Sequence, residues 1–77
     1  MYCDFVRSRL IEERHIAGYS QQQVADLTGI RNSIIAKIEI GLRKPDVETI
    51  GKLAEFYQIS TDWLFGLGQK RPDNRQI

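Results

Sequence analysis

The most distinctive polar side chains of this sequence lie in one short segment between two glycines, Gly29 and Gly41. On a helix with about 100° between successive residues, small and polar side chains share one side and isoleucines share the other. The first set is Asn32, Ser33, Ala36 and Lys37, and the second is Ile34, Ile35 and Ile38. An amide, a hydroxyl and an ammonium group together can donate and accept several hydrogen bonds. This face either recognises a partner or is the solvated side of an amphipathic helix, and the pattern alone leaves both open.

Covalent and metal chemistry have little support in the chain. Cys3 is the single cysteine and His15 the single histidine, so no disulfide can form within the chain and no cluster of metal ligands is visible. The sequence also lacks a glycine-rich phosphate loop. We therefore expect a protein that is not an enzyme and needs no cofactor or metal. Cys3 is expected to be an ordinary thiol in a reducing compartment, and His15 a surface residue.

The size and charge of the chain narrow the possible classes further. Its 77 residues allow one small domain. No apolar run approaches the roughly 20 residues of a membrane span, and no signal-peptide pattern is present, so we expect a cytoplasmic protein without a membrane partner. The net charge is only +1, but four cations against one anion lie between residues 28 and 45. This local excess matters more than the total, because a basic stretch attracts anionic partners.

The polar face needs a helix to present it, and helical signals run through the whole chain with no alternating strand pattern. The first helix is expected from about Asp4, as its N-cap, to about Ile16, with Gly18 ending it. The second is expected to begin at the cap Ser20, with Gln23 completing a capping box. Its inward residues are expected to be Val24, Ala25 and Leu27.

Three further helices are expected after the first two. The third is the segment that Gly29 and Gly41 delimit, the fourth begins at the cap Asp46, and the fifth follows Ser60 and ends at Gly66. The apolar residues expected to face inward are Val47, Ile50, Leu53, Ala54 and Tyr57 in the fourth helix and Trp63 and Leu64 in the fifth. The expected organisation is one domain over residues 1–66 and a flexible tail over residues 67–77.

The short connection between the second and third helices has the spacing of a helix-turn-helix unit. From about Val6 to Gly66 the chain resembles the Cro/C1-type (XRE) helix-turn-helix domain of phage repressors and bacterial regulators. The motif elements that carry the resemblance are Ser20-Gln21, Ala25, Gly29, Ile35, Ile38-Glu39, Gly41, Pro45, Leu53-Ala54 and Ser60 with Trp63-Leu64. The resemblance implies an all-α, compact five-helix, lambda-repressor-like fold whose third helix enters the major groove of double-stranded DNA.

The resemblance also implies roles for individual residues. The expected base-contacting residues are Asn32, Ser33, Ala36 and Lys37. The expected phosphate-contacting residues are Gln21, Arg43 and Lys44, and Arg31 joins them if its charge is offset by a phosphate. Arg14 and Glu39 are expected to form a structural ion pair between the first and third helices. The chemistry suits base recognition, since Asn can pair with adenine, Lys with guanine and Ala with the thymine methyl group.

Two residues depart from the family pattern. Arg31 stands where a capping Ser or Thr is usual, and its charge opposes the helix dipole. Either Asn32 takes over the cap, which would leave it less free to contact a base, or a phosphate offsets the charge of Arg31. Ile40 stands where a polar residue is usual. Either it is partly buried under the following loop, or it contacts a DNA sugar edge or a partner subunit.

These observations lead to two hypotheses about function. The first is a sequence-specific transcriptional regulator, a repressor that binds a two-fold operator as a homodimer and associates with the nucleoid. Its candidate dimer surface is the end of the domain that carries Trp63, Phe65 and Leu67. The alternative is an antitoxin or another protein-interaction module on the same scaffold, which would have a second protein as its partner.

Overall fold

The structure, a computed structural model, describes residues 2–66, and they form five α-helices. The helices are α1 (Tyr2–Ala17), α2 (Gln21–Thr28), α3 (Asn32–Glu39), α4 (Val47–Tyr57) and α5 (Thr61–Leu64). No strand occurs among residues 2–66, so the predicted all-α, five-helix fold is confirmed. None of these helices combines the length and hydropathy needed to cross a lipid bilayer. The predicted tail over residues 67–77 lies outside the described residues.

The start and end of α2 are set by local hydrogen bonds. The Ser20 hydroxyl accepts a bond from the Gln23 N–H at 3.1 Å, and the Gln23 side chain accepts one from the Ser20 N–H at 2.8 Å. This reciprocal pair is the predicted capping box. Gly29 ends the helix with φ at 79°, a left-handed conformation that is strained for other residues. A helix of only eight residues thereby has both of its ends fixed.

The core lies between the helices, and each of the five helices contributes residues to it. Its buried members are Val6, Leu10, Val24, Ala25, Ile30, Ile35, Ile38, Ile50, Leu53, Ala54, Tyr57, Ile59 and Leu64. On α3, Ile35 and Ile38 are buried and Ile34 packs against the core from its edge. The aliphatic side of α3 is therefore its attachment to the domain, as the sequence pattern predicted.

Three predictions about single residues were wrong. Asp4 does not cap α1, because the helix already begins at Tyr2 and Asp4 lies in its first turn. Leu27 is 60% exposed, since α2 contacts the core through Val24 and Ala25. Val47 is 87% exposed, because it is the first residue of α4 and the buried stripe of that helix begins one turn later, at Ile50.

The short helix α5 is joined to α1 by polar and cationic contacts as well as by apolar packing. Glu13 is fully buried on α1, and the Trp63 indole Nε1 donates a hydrogen bond to its Oε2 at 3.2 Å. The Arg9 guanidinium lies 3.4 Å from the centroid of the Trp63 ring. These contacts cover both the polar edge and one face of the half-buried tryptophan.

We expect the buried phenol of Tyr57 to make the domain less stable at alkaline pH. Burial raises the pKa of Tyr57 above its ordinary value, and the negative charge of Glu39 adds to the effect. Above about pH 10 the unfolded chain therefore loses the phenolic proton before the folded one, and the free energy of unfolding falls by up to about 1.4 kcal/mol per pH unit. Urea unfolding between pH 8 and 11 should show a shallower decline for Tyr57→Phe. Equal slopes for the two proteins would contradict this.

Candidate nucleic-acid interface

The connection between α2 and α3 is a short turn held by one threonine. The Thr28 hydroxyl donates to the Val24 carbonyl at 2.7 Å and accepts from the Ile30 N–H at 3.2 Å. Ile30 in the middle of the turn is buried in the core. The two helices thus meet through a fixed turn, with Gly29 reversing the chain at its start.

An ion pair ties three helices together beneath this unit. Arg14 on α1 reaches both carboxylate oxygens of Glu39 on α3, with Nε 2.8 Å from Oε2 and Nη2 2.9 Å from Oε1. Its Nη1 also donates to the Tyr19 carbonyl at 2.9 Å. Gln21, the first residue of α2, donates from Nε2 to Glu39 Oε1 at 2.9 Å. The expected pair of Arg14 and Glu39 is therefore present. Gln21 also bonds to Glu39, a contact that the sequence did not reveal.

The pair is largely shielded from solvent. The side chains of Arg14 and Glu39 are 13% and 8% exposed. The hydrogen bond that Arg14 donates to Glu39 is the main reason that the pKa of Arg14 is raised above its already high ordinary value, so the guanidinium stays charged. Each charged group has several hydrogen-bond partners, which is the condition for burying a pair at acceptable cost.

The outer side of α3 carries the four residues that the sequence marked for base contact. Ser33 and Lys37 are exposed, whereas Asn32 and Ala36 are half-buried. Asn32 donates from Nδ2 to Gln22 Oε1 at 2.7 Å, so its side chain is held against α2. The structure brings these four residues together on the side of α3 away from the buried isoleucines.

Arg31 occupies the N-cap position of α3 without capping it. Its backbone is extended, with φ at −62° and ψ at 138°, and its side chain makes no capping hydrogen bond. Asn32 does not take over the cap, because it is already the first helical residue and its amide bonds to Gln22. The capping alternative for Asn32 is therefore wrong. The exposed guanidinium of Arg31 remains available to an anion at the start of α3.

The loop after α3 exposes both cations and apolar side chains. Its first turn is closed by bonds from the Leu42 and Arg43 N–H groups to the Lys37 carbonyl, at 2.8 and 3.2 Å. Arg43, in that turn, and Lys44, directly after it, are both exposed. Ile40 is 64% exposed, so the predicted partial burial under the loop is wrong. The loop turns away from α3 at Gly41, where φ is 86°, and leaves Ile40 uncovered.

The same side of the molecule shows no sign of a metal site. Within residues 2–66, no group of three or more His, Cys, Asp or Glu side chains could hold a metal ion. The chemistry that this surface offers is hydrogen bonding from Asn32 and Ser33 and positive charge from Lys37, Arg31 and the loop. Such a set of groups suits the base edges and phosphates of a nucleic acid.

An all-α domain with a fixed turn between two short helices, in which one side of the second helix faces outward, defines the helix-turn-helix class. A family model described as helix-turn-helix matches residues 10–64, and the chain belongs to this family in its Cro/C1-type form.

Several curated regulators are similar to the chain. The HTH-type transcriptional regulator ImmR of Bacillus subtilis is 41% identical over 58 residues, which cover 75% of this chain and 46% of ImmR. The prophage-derived regulator YonR of the same species is 45% identical over 56 residues, or 73% of this chain and 52% of YonR. PuuR of Escherichia coli is 36% identical over 69 residues, or 90% of this chain and 37% of PuuR. The chain thus spans about half the length of the curated relatives it matches, or less.

We expect the loss of Glu39 to destabilise the domain far more than the loss of an exposed ion pair. Glu39→Ala leaves the Arg14 guanidinium shielded and unpaired, and the free energy of unfolding should fall by about 3 kcal/mol. The control is Lys52→Ala, which breaks the exposed Lys52–Glu48 pair at 3.9 Å and should cost less than about 0.5 kcal/mol. Urea unfolding at neutral pH measures both. Similar small losses would show that the buried pair does not hold the three helices.

Proposed function

We propose that this protein is a transcriptional regulator that binds specific sites in double-stranded DNA. The observation that carries the proposal is the outer side of α3, where Asn32, Ser33 and Lys37 stand on a helix whose other side is fixed in the core. The family of the chain and the names of its relatives support the same function. The proposed place of action is the chromosome, in the cytoplasm.

The proposal divides the surface into residues that read sequence and residues that position the protein. Asn32, Ser33, Ala36 and Lys37 contact base edges, because amide, hydroxyl, methyl and ammonium groups each fit a base in the major groove. Gln21, Arg31, Arg43 and Lys44 contact phosphates, which fix the register but carry little sequence information. Because the Gln21 side chain is engaged by Glu39, its contact is assigned to the backbone N–H at the start of α2.

The proposal includes a homodimer that represses by occupying a two-fold operator. One domain of this size makes few base contacts, and two copies on half-sites about one helical turn apart double them. The candidate dimer surface at α5 offers less free area than the sequence suggested, because Trp63 already contacts Arg9 and Glu13 on α1.

We expect substitutions of Lys37 and Arg43 to have different effects on DNA binding. Lys37→Ala should relax the preference at one base pair by about 1–3 kcal/mol, because it removes a base contact. Arg43→Ala should weaken binding to all sequences alike and reduce the slope of log K against log salt by about one, because it removes a phosphate contact. Selection of bound duplexes from a random pool, followed by salt titration, measures both.

The matched control for these two variants is Lys52→Ala, which removes an exposed cation from α4. It should change neither the base preference nor the salt slope. If the wild-type protein bound no duplex at about 50 mM salt, the proposed function would be wrong. If Lys37→Ala and Arg43→Ala behaved alike, the division between reading and positioning would be wrong.

A second candidate function, a protein-interaction module such as an antitoxin, has one observation in its favour. Leu42 is 75% exposed, and Ile40 and Val47 on the same loop and the following helix start are exposed as well. Exposed apolar side chains that lie close together in the chain can mark a surface that a partner protein covers.

The two candidates differ in how the purified chain behaves. A regulator selects a DNA site by itself, whereas an interaction module binds no duplex better than random DNA and retains a partner protein through the apolar loop. Under the second candidate, we expect Leu42→Asp to release that partner and Lys37→Ala to retain it, as measured by co-purification and sedimentation. Release by neither variant would rule out this loop as the partner surface.

A further inference from the structure

A chain of side-chain hydrogen bonds runs along the outer surface from α2 to the first residue of α3. Gln22 donates from Nε2 to Asp26 Oδ1 at 2.9 Å, one helical turn away on α2. Asn32 in turn donates from Nδ2 to Gln22 Oε1 at 2.7 Å. Three residues are thus connected in the order Asp26, Gln22 and Asn32, and only the last of them belongs to the proposed base-contacting set.

The direction of these hydrogen bonds is set by the carboxylate of Asp26. An ionised Asp only accepts hydrogen bonds, whereas a side-chain amide can turn over and exchange its donor and its acceptor. Because Asp26 only accepts, Gln22 must point its NH₂ group at Asp26 and its oxygen at Asn32. Asn32 must then use one Nδ2 hydrogen on Gln22, and this leaves Oδ1 and the second Nδ2 hydrogen for another partner.

The groups that remain free on Asn32 form one donor and one acceptor side by side. Adenine offers the complementary pair in the major groove, with N7 as acceptor and the N6 amino group as donor. The two amide orientations of Asn32 would present this pair in opposite order, and only one order can match a base that α3 holds in a fixed register. The orientation of a single amide therefore affects which base is preferred.

We propose that Asp26 is a positioning residue for base recognition, which fixes the amide orientation of Asn32 through Gln22. The inference rests on the proposed function, since it assigns Asn32 to a base. It gives Asp26 two opposite effects on DNA binding. Its negative charge repels the phosphate backbone, while its hydrogen bond sharpens the base preference of Asn32. A residue that served only the stability of α2 would leave the base preference of Asn32 unchanged.

The first test is selection of bound duplexes by the wild-type protein, Asn32→Ala, Asp26→Ala and the double variant Gln22→Glu with Asp26→Ala. Asn32→Ala identifies the base pair that Asn32 contacts. At that pair alone, Asp26→Ala should lower the preference by about fivefold, within the range of one good amide–base contact. Its affinity for random duplex should rise or stay the same, because an anion has been removed.

The double variant supplies the matched rescue. Glu at position 22 only accepts hydrogen bonds, so it can hold the Asn32 NH₂ group without help from position 26, and the total charge equals that of the wild-type protein. The base preference should return to near the wild-type value. If Asp26→Ala kept the full preference, or if the double variant lost as much as the single one, the proposed role of Asp26 would be wrong.

A second measurement needs no DNA and separates this inference from the proposed function. In the free protein, ¹⁵N NMR relaxation should show that the Asn32 side-chain NH₂ group is ordered. The amide group of Asn32 should become mobile in Asp26→Ala and ordered again in the double variant. If the wild-type protein selected no sequence, the DNA-binding proposal would fail, while these spectra would still decide whether Asp26 orients Asn32. Unchanged signals in Asp26→Ala would overturn the inference.

Discussion

The arrangement of the molecule depends on the ion pair between Arg14 and Glu39. Isoleucine packing attaches α3 to the core, but apolar contacts are not directional and tolerate small shifts. The bidentate guanidinium–carboxylate contact is directional, and it fixes α3 relative to α1. Gln21 extends the contact to α2. We interpret the pair as a device for geometric precision, because a buried ion pair contributes little net stability compared with apolar residues of the same volume.

The helix α2 supports its neighbour from two sides. Gln21 bonds to Glu39 at the end of α3, and Gln22 bonds to Asn32 at the start of α3. Adjacent glutamines in the sequence therefore hold opposite ends of the same helix, one in the shielded junction and the other on the outer surface. The outward residues of α3 itself, Ser33 and Lys37, are exposed and can change without disturbing the buried isoleucines.

The sequence predicted those features that depend on neighbouring residues. The caps at Ser20 and Asp46, the start of α5 after Ser60 and the isoleucine face of α3 are local patterns, and all of them are present. The exposure of Leu27 and Val47 could not be read in the same way, because a helical stripe shows which side is apolar but not where the neighbouring helices end. Side-chain partners far apart in the chain were also missed, except for the ion pair that the family resemblance implied.

The site shows the same division between local and distant information. The outward position of Ser33 and Lys37 follows from helical spacing, and their contact with DNA remains a prediction. The bonds from Gln21 and Gln22 to α3 depend on the angle at which two helices meet, and no spacing rule supplies that angle. The sequence left two alternatives for Ile40, because it does not give the direction in which the loop leaves Gly41, and its exposure rules out only partial burial.

The setting of Trp63 gives the domain an optical reporter of its own. It is the single tryptophan of the chain, its indole N–H bonds to buried Glu13, and a guanidinium covers its ring. Indole emission depends on the polarity of these surroundings, so separation of α5 from α1 would change the fluorescence spectrum. Because the reporter lies on α5 rather than on α3, the stability of the domain can be followed without a label on the surface proposed to bind DNA.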